Sequence, residues 1–314
     1  MISESIFQGE PAVILSSKTL QAVFLPAHGG KLVSLKNLEN GFEYLFQNPR
    51  NSFGKAQRGS SFDAGEACGF DDAFPNIGPE KIELFGKFFD YPDHGEIWSA
   101  EFSKEIEGET LTENWISPMG YQYQKCFSLA GNVLTGKWKI RNIGSAVFPC
   151  FWTMHFLAAY QETMRIHFPP ETTEILNVMD SDCLGKAESR YAFPLGQAPG
   201  GLYDFCAVPP RKSHRMEKYY VKGIIHKGMI GYEYPDAHTG LKIEYDPQKL
   251  PYLGFWVTAG GWRGDYNCAL EPSNGFYDRI SCAAGNSCLP VLQPDEEMAF
   301  EIRMSALSSG SFED

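Results

Sequence analysis

Alternating apolar and polar residues are the feature that most restricts how this chain can fold. The alternation runs through residues 134–140, 241–245 and 298–304. A period of two places successive side chains on opposite faces of a strand, so each segment predicts a strand with one buried face. Short turn signals such as residues 130–132 separate these segments. The pattern therefore predicts a chain dominated by β-sheet.

Aromatic residues and turn formers support this all-β prediction. The 314 residues include 23 Phe, 15 Tyr and 6 Trp, together with 31 Gly and 20 Pro. Aromatic residues favour strands, and Gly and Pro favour turns. No long segment carries the apolar stripe of a capped helix. No linker or repeat divides the chain, so residues 1–314 are predicted to form a single domain. Residues 48–65 and 180–215 are irregular and predict loops, which are often functional at this length.

The charge balance and the ends of the chain restrict its partners. Lys and Arg number 27 against 39 Asp and Glu, a net charge of −12. Such a chain repels phosphate, which argues against binding to nucleic acid or to an anionic membrane. No apolar run reaches the ~18 residues of a membrane-spanning helix, and the first residues lack a secretion signal. The eight cysteines show no CxxC spacing and are interpreted as reduced thiols, so we expect a cytoplasmic protein.

Three residues stand out as candidates for chemistry. His94 lies among charged and aromatic residues in the segment 91–98, whereas His155 lies in the almost wholly apolar segment 151–157. Taken alone, a histidine in an apolar run is more often a core residue than a catalytic one. Glu271 ends an apolar run and precedes a proline, so it faces either a cleft or the surface of an edge strand.

The combination of these segments resembles the aldose 1-epimerases, also called galactose mutarotases. The similarity extends over about residues 20 to 305. It rests on residues 28–35, on residues 69–75 with their acidic pair and Phe-Pro, on Asp93-His94-Gly95, on residues 152–155 and on residues 269–272. The resemblance implies a single large antiparallel β-sandwich, the galactose mutarotase-like supersandwich. It also implies an isomerase that converts the α and β anomers of a free hexose or related sugar into each other, in carbohydrate metabolism.

The resemblance further implies roles for the three candidates. His155 is expected to be the general acid that protonates the ring oxygen, and Glu271 the general base that takes the proton of the anomeric hydroxyl. His94 is expected to hydrogen-bond the sugar beside the reacting centre. Opening a cyclic hemiacetal requires one group to remove a proton and another to deliver one, and closure reverses their roles. This chemistry requires no cofactor and no metal.

Further residues are expected to contact the sugar. They are Asp72 of the acidic pair, the aromatic Trp152 and Trp262, and Arg263, which follows Trp262 in a Gly-rich turn. A surface hairpin loop is an equally good interpretation of that turn. His94 and Glu96 offer two metal ligands without a third, which argues against a metal site. A small basic cluster is predicted to be a solvated loop; its members are Lys212, His214, Arg215, Lys218 and Lys222.

Three alternatives remain open at this point. The first is a non-catalytic carbohydrate-binding protein of the same fold, because a fold does not dictate a function. The second is a glycoside hydrolase or lyase, which would need a carboxylate such as Asp93 or Glu96 opposite Glu271. The third is a sugar-6-phosphate mutarotase, which would need an Arg or Lys clamp. In each case the expected partner is a small carbohydrate, and the protein a monomer or homodimer.

The sequence also departs from the pattern of the family. Phe156 follows His155 where many members have Pro, and no Asn-Arg pair precedes His94. Asp204 is the nearest candidate for the sugar-binding Asp of the family. The sequence therefore predicts the acid–base residues without identifying galactose as the substrate.

Overall fold

The computed structural model describes residues 1–308, and about half of these residues lie in strands. In chain order the first strands are β1 (Ile2–Phe7), β2 (Glu10–Ser16), β3 (Leu20–Leu25), β4 (Lys31–Asn37), β5 (Phe70–Ala73), β6 (Glu80–Leu84), β7 (Lys87–Tyr91), β8 (Ser103–Glu107), β9 (Thr110–Ile116), β10 (Tyr121–Ala130), β11 (Val133–Asn142), β12 (Phe148–Pro149) and β13 (Thr153–Phe156). The second half contains β14 (Ala158–Ala159), β15 (Arg165–His167), β16 (Glu174–Asn177), β17 (Arg190–Ala192), β18 (Leu195–Ala198), β19 (Gly201–Asp204), β20 (Met216–Val221), β21 (Met229–Tyr234), β22 (Thr239–Tyr245), β23 (Tyr252–Ala259), β24 (Tyr266–Ser273), β25 (Val291–Leu292) and β26 (Glu297–Ser308).

Helical structure is scarce in residues 1–308. It comprises the α-helix α1 (Ile280–Gly285) and the 3-10 turns Phe62–Ala64, Ile97–Ser99, Arg211–Ser213 and Pro235–Ala237. In this described part of the chain, no helix has the length and apolar character needed to span a bilayer.

The strands form two large sheets whose neighbouring strands run antiparallel. The first sheet has the order β1-β2-β3-β4-β5-β13-β24-β23-β20-β16-β17, with β14 also paired to β24. The second has the order β15-β21-β22-β26-β11-β10-β9-β8. Small two-stranded pairs, β6-β7, β12-β25 and β18-β19, extend from this framework.

The two sheets pack face to face on an aromatic core. Phe24 of the first sheet contacts Phe127 of the second, with ring centres 4.4 Å apart. Trp152, which immediately precedes β13 of the first sheet, contacts Phe300 of the second, with ring centres 4.6 Å apart. Burial of such large apolar side chains is the main term that stabilises a sandwich. The predicted all-β antiparallel sandwich is therefore confirmed.

The alternating segments of the sequence became neighbours in the second sheet. Residues 134–140 lie in β11, residues 241–245 in β22 and residues 298–304 in β26, and the order in the sheet is β22-β26-β11. Their inward-facing apolar members are buried, apart from the half-buried Met298, while the charged members between them are exposed or half-buried. This one-sided burial is the structure that a period of two predicts.

The two predicted loops differ in outcome. Residues 48–65 contain no strand and end in the turn Phe62–Ala64, as predicted. Residues 180–215 are less irregular than predicted, because they include β17 and the hairpin of β18 and β19. The small size of these strands explains why the sequence pattern did not reveal them.

Candidate active site

A cavity of about 260 Å³ opens on the outer face of the first sheet, the face that points away from the second sheet. This volume lies just below the ~300–1,000 Å³ typical of pockets for drug-sized ligands, so it suits one small ligand. Its lining residues are Phe62, Ile77, His94, His155, Leu157, Met179, Lys218, Trp256, Trp262, Glu271 and Asp278. A larger groove of about 670 Å³ lies elsewhere and is lined mainly by Asn, Thr, Gly and Ala.

Strand register brings the floor of the cavity together. His155 lies on β13, Glu271 on β24 and Lys218 on β20, and these strands are close neighbours in the first sheet. Alternation along β24 sends Leu270 into the core between the sheets and Glu271 to the outer face.

Gly254 of β23 lies directly opposite Glu271. A Cβ atom at this glycine would come within 3.0 Å of Glu271 Oε2 and 2.9 Å of the Tyr220 ring. The absence of a side chain at residue 254 therefore makes room for the carboxylate.

His94 reaches the cavity from a tight turn after β7. Its backbone has φ +55°, and Gly95 follows with φ +72°. A Cβ atom on Gly95 would lie 1.9 Å from the carbonyl oxygen of Phe74, so only glycine fits there. The His94 amide donates to the Ile77 carbonyl (2.7 Å), and the Glu96 amide donates to the Phe74 carbonyl (2.8 Å). These bonds fix the turn against the sheet and direct the imidazole into the cavity.

Asp93 holds the ring of His94 in place. Asp93 Oδ1 lies 2.8 Å from His94 Nδ1, and Asp93 Oδ2 accepts a hydrogen bond from the Phe62 amide (2.8 Å). Burial alone raises the pKa of Asp93, but the hydrogen bonds from His94, Phe62 and Ser61 outweigh it and lower the pKa. Asp93 is thus an anion beside His94. The ring of Phe62 stacks on the His94 imidazole, with centres 4.1 Å apart.

His155 has a different environment. It is buried, its Nδ1 has no hydrogen-bond partner among the described residues, and its ring lies edge-on to that of His94 at 5.2 Å. Burial lowers the pKa of His155 well below its usual value, and His94, Lys218 and Lys31 lower it further. Among the described residues no carboxylate pairs with this imidazole, and its buried surroundings favour the neutral form.

Glu271 is buried and is contacted by a lysine. Lys218 Nζ lies 3.3 Å from Glu271 Oε2 and 2.9 Å from Asp278 Oδ1. Burial raises the pKa of Glu271, and Lys218 opposes this effect while Asp278 adds to it. A carboxylate in such surroundings exchanges protons closer to neutral pH than a solvated one.

The structure brings His94, His155, Glu271 and Trp262 to one cavity, but it places Asp72 and Trp152 elsewhere. Both Asp72 oxygens are used in the core, where they accept hydrogen bonds from Lys125 Nζ (2.7 Å) and Trp138 Nε1 (3.0 Å). Trp152 is also buried between the sheets and donates to the Tyr123 hydroxyl. These two expected sugar contacts are therefore corrected: they lie on the core side of the first sheet.

Arg263 is likewise engaged within the protein. Its Nη1 donates to the Gly65 carbonyl (3.0 Å), its Nε lies 3.4 Å from Asp265 Oδ2, and its guanidinium lies over the Trp262 ring. It is not among the residues that line the cavity, so the expected sugar contact is corrected here as well. Arg263 instead supports Trp262, whose ring meets Trp256 edge to face at 6.0 Å.

Two further candidates have internal partners. Glu96 is buried and accepts hydrogen bonds from Arg58, Ser117 and Tyr121, so it is not a second carboxylate of the cavity. Asp204 pairs with Arg165 at 2.9 Å, also away from the cavity. Within residues 1–308, no three His, Cys, Asp or Glu side chains are grouped so that they could hold a metal ion.

Sequence reasoning missed Lys218, Asp278, Trp256 and Phe62. Lys218 was predicted to belong to a solvated basic loop, but it lies on β20 and is almost buried. The available signal was the run Tyr219-Tyr220-Val221 directly after Lys218, because aromatic and β-branched residues favour a strand. Asp278 and Phe62 lie outside the strands and had no local signal.

Comparisons with known proteins identify the fold. No family model matches the chain, and no curated protein matches it. Among solved structures, the Slr1438 protein from Synechocystis sp. PCC 6803 aligns with a TM-score of 0.72 and 15% identity, over 98% of this chain and 96% of that one. A galactose mutarotase-like protein from Clostridium acetobutylicum gives 0.69 and 17%, over 98% of both chains. The GalM/aldose epimerase homologue from C. elegans gives 0.67 and 11%, over 98% of this chain and all of that one.

The chain therefore has the galactose mutarotase-like fold. The resemblance seen in the sequence is confirmed at this level, because the alignments extend over nearly the whole chain. Fold similarity at such low identity does not carry an activity with it, so function must be argued from the cavity.

Proposed function

We propose that this protein is an aldose 1-epimerase that converts the α and β anomers of a free sugar into each other. The observation that carries the proposal is the meeting of Glu271, His94 and His155 in one small cavity with aromatic walls. Trp256, Trp262 and Phe62 offer flat apolar surfaces of the kind on which the CH face of a pyranose packs. The carboxylate and the imidazoles provide proton transfer.

The reaction would proceed through the open-chain aldehyde. Glu271 accepts the proton of the anomeric hydroxyl, the bond between C1 and the ring oxygen breaks, and a histidine donates a proton to that oxygen. Rotation about the C1–C2 bond then presents the other face of the aldehyde. Closure reverses the two proton transfers, so the enzyme returns to its starting state and the sugar changes only its anomeric configuration.

Electrostatics favours His94 as the proton donor, a revision of the role that the resemblance implied for His155. A donor must be protonated before it can act, and the imidazolium form of His94 has the Asp93 anion 2.8 Å away. His155 has no such partner and a lowered pKa. We therefore assign His155 a neutral role, as a hydrogen-bonding group beside the reacting centre.

The charges of the cavity favour a neutral sugar over a sugar phosphate. Lys218 is the only Lys or Arg among its described lining residues, and it is already paired with Glu271 and Asp278. A phosphate needs an unpaired cationic clamp, usually with arginine.

Exchange NMR across a panel of neutral aldoses, uronic acids and sugar phosphates tests the proposal. The wild type should accelerate the exchange between the anomers of at least one neutral aldose. Glu271→Gln should lower kcat by about 10²–10⁴-fold, because it keeps the shape and removes the base. Glu301→Gln is a matched control at an exposed position and should retain full activity.

Two outcomes would contradict the proposal. If the wild type binds a sugar without accelerating exchange, the protein is a carbohydrate-binding protein of this fold. If Glu271→Gln exchanges anomers at the wild-type rate, Glu271 is not the base.

A further inference from the structure

Glu271 does not stand alone in the cavity but begins a chain of polar contacts. Lys218 Nζ lies 3.3 Å from Glu271 Oε2, and the same nitrogen lies 2.9 Å from Asp278 Oδ1. The Tyr220 hydroxyl donates to Asp278 Oδ1 at 2.9 Å. Lys218 and Tyr220 are on one strand, β20, and point to the same side of it. Two carboxylates therefore share one buried ammonium group.

Burying the charges of Glu271 and Lys218 costs free energy, which their pairing offsets. A buried carboxylate without a counter-charge is strongly disfavoured, and removing one partner of a buried pair leaves the other uncompensated. Glu271 and Lys218 are both almost buried, and the second carboxylate, Asp278, is about one quarter exposed. Lys218 contacts Glu271 only through Oε2, which leaves Oε1 for a ligand.

We propose that Lys218 is a positioning residue that orients the Glu271 carboxylate and balances its charge, and that Asp278 weakens this effect by binding the same ammonium group. The proposal rests on the function of Glu271 as the base. Lys218 acts through Glu271 by holding Oε2 and directing Oε1 into the cavity. Asp278 competes for the same ammonium group while Tyr220 keeps Asp278 in place.

Several groups around Glu271 contribute to its charge state. Lys218 and Tyr220 face it from β20, His94 from the turn after β7, His155 from β13 and Asp278 from the segment after β24. Tyr232 of the second sheet lies on the core side, where its hydroxyl accepts a hydrogen bond from the Leu270 amide. Lys218 and His94 favour the anion, whereas burial and Asp278 favour the protonated form. Lys218 and Asp278 therefore have effects of opposite sign on Glu271.

This opposition gives a test that a purely structural role would not pass. In the wild type, the lower limb of the kcat/KM profile against pH reports the loss of the Glu271 proton. Lys218→Met should move this limb to higher pH by about 1–3 units, the range produced by one neighbouring charge. Asp278→Asn should move it to lower pH. Lys218→Arg keeps the charge and should leave the limb near its wild-type position.

Matched controls are available on the surface. Lys137→Met and Asp295→Asn remove exposed members of ion pairs and should leave the profile unchanged. Opposite shifts in Lys218→Met and Asp278→Asn support the proposal. A limb that stays in place in both variants, or that moves in the same direction in both, overturns it.

A second measurement separates this proposal from the proposed function. With glutamate labelled at its carboxyl carbon, ¹³C NMR follows the titration of Glu271, whose signal is identified by its loss in Glu271→Gln. If the wild type exchanges no anomers but the two variants shift this titration in opposite directions, the proposed function fails and the role of Lys218 holds. If the titration is the same in Lys218→Met and the wild type, the role of Lys218 is refuted whatever the activity.

Discussion

The contact between Asp93 and His94 offers a direct test of which histidine donates the proton. The variant Asp93→Asn keeps the size of the side chain and an oxygen that can accept from the Phe62 amide, but it removes the anion 2.8 Å from His94 Nδ1. Among the described residues, Asp93 is the only ion-pair partner of His94, so the imidazolium form of His94 then has none. If His94 is the donor, proton transfer to the ring oxygen should slow, because the contact that holds the ring and balances its charge is lost.

The size of this effect follows from the kind of bond that is lost. A hydrogen bond to a charged group contributes about 1.5–3 kcal/mol. Both side chains are about one quarter exposed, so solvent screening favours the lower half of this range. At about 1.4 kcal/mol for each factor of ten, kcat should fall by roughly 10- to 40-fold. KM should change little, because most contacts with the sugar involve other groups.

The assay is the initial rate of anomer exchange, measured against pH on the sugar identified as substrate. Asp63→Asn is the matched control, because Asp63 is an exposed carboxylate in the neighbouring turn Phe62–Ala64 and, among the described residues, hydrogen-bonds only to Ser61. A wild-type rate in Asp93→Asn, together with a large loss in His155→Gln, would refute this reasoning and return the donor role to His155.

Two further predictions concern the wall of the cavity and a buried carboxylate. Trp262→Ala should raise KM by about 2- to 10-fold with little change in kcat, because stacking contributes about 0.5–1.5 kcal/mol. Steady-state kinetics measures both constants, and a change confined to kcat would contradict this prediction. Glu113 is buried, neither of its oxygens has a hydrogen bond within the described residues, and burial raises its pKa to about 7. Since the folded state then binds a proton that the unfolded state loses above pH ~4.5, Glu113 destabilises the fold as pH rises through this interval. Glu113→Gln should therefore increase the free energy of unfolding at pH 8 by at most about 3 kcal/mol and change it little at pH 4. Urea denaturation at both pH values measures this, with Glu107→Gln as an exposed control. An equal gain in stability at the two pH values would contradict the prediction.

The local pattern of the sequence determined much of the architecture. The alternation in residues 134–140, 241–245 and 298–304 predicted strands with one buried face, and all three segments are such strands. A period of two needs no information from distant parts of the chain, which explains this success. The motifs around His94, His155 and Glu271 pointed to the three ionisable groups that now share a cavity.

Lys218 shows what a local pattern does not contain. Its charge predicted a solvated loop, yet its strand lies two positions from that of Glu271 in the first sheet. The pairing of β20 with β23, and of β23 with β24, brings the ammonium group to the carboxylate. Such pairing joins residues that are far apart in the chain, so only the tertiary structure decided that this lysine is buried and paired.

Asp72 shows the same limit on a smaller scale. Alternation requires that Asp71 and Asp72 point to opposite faces of β5, but every residue of this strand is buried, so the pattern does not tell which face is the core. The register pairs Asp71 with His155 and Asp72 with Met154. Asp72 thereby meets Lys125 and Trp138 between the sheets, while Asp71 pairs with Lys31 at 3.0 Å on the side of the histidine. The sequence determined that the two carboxylates separate, and the packing of the second sheet decided which of them belongs to the core.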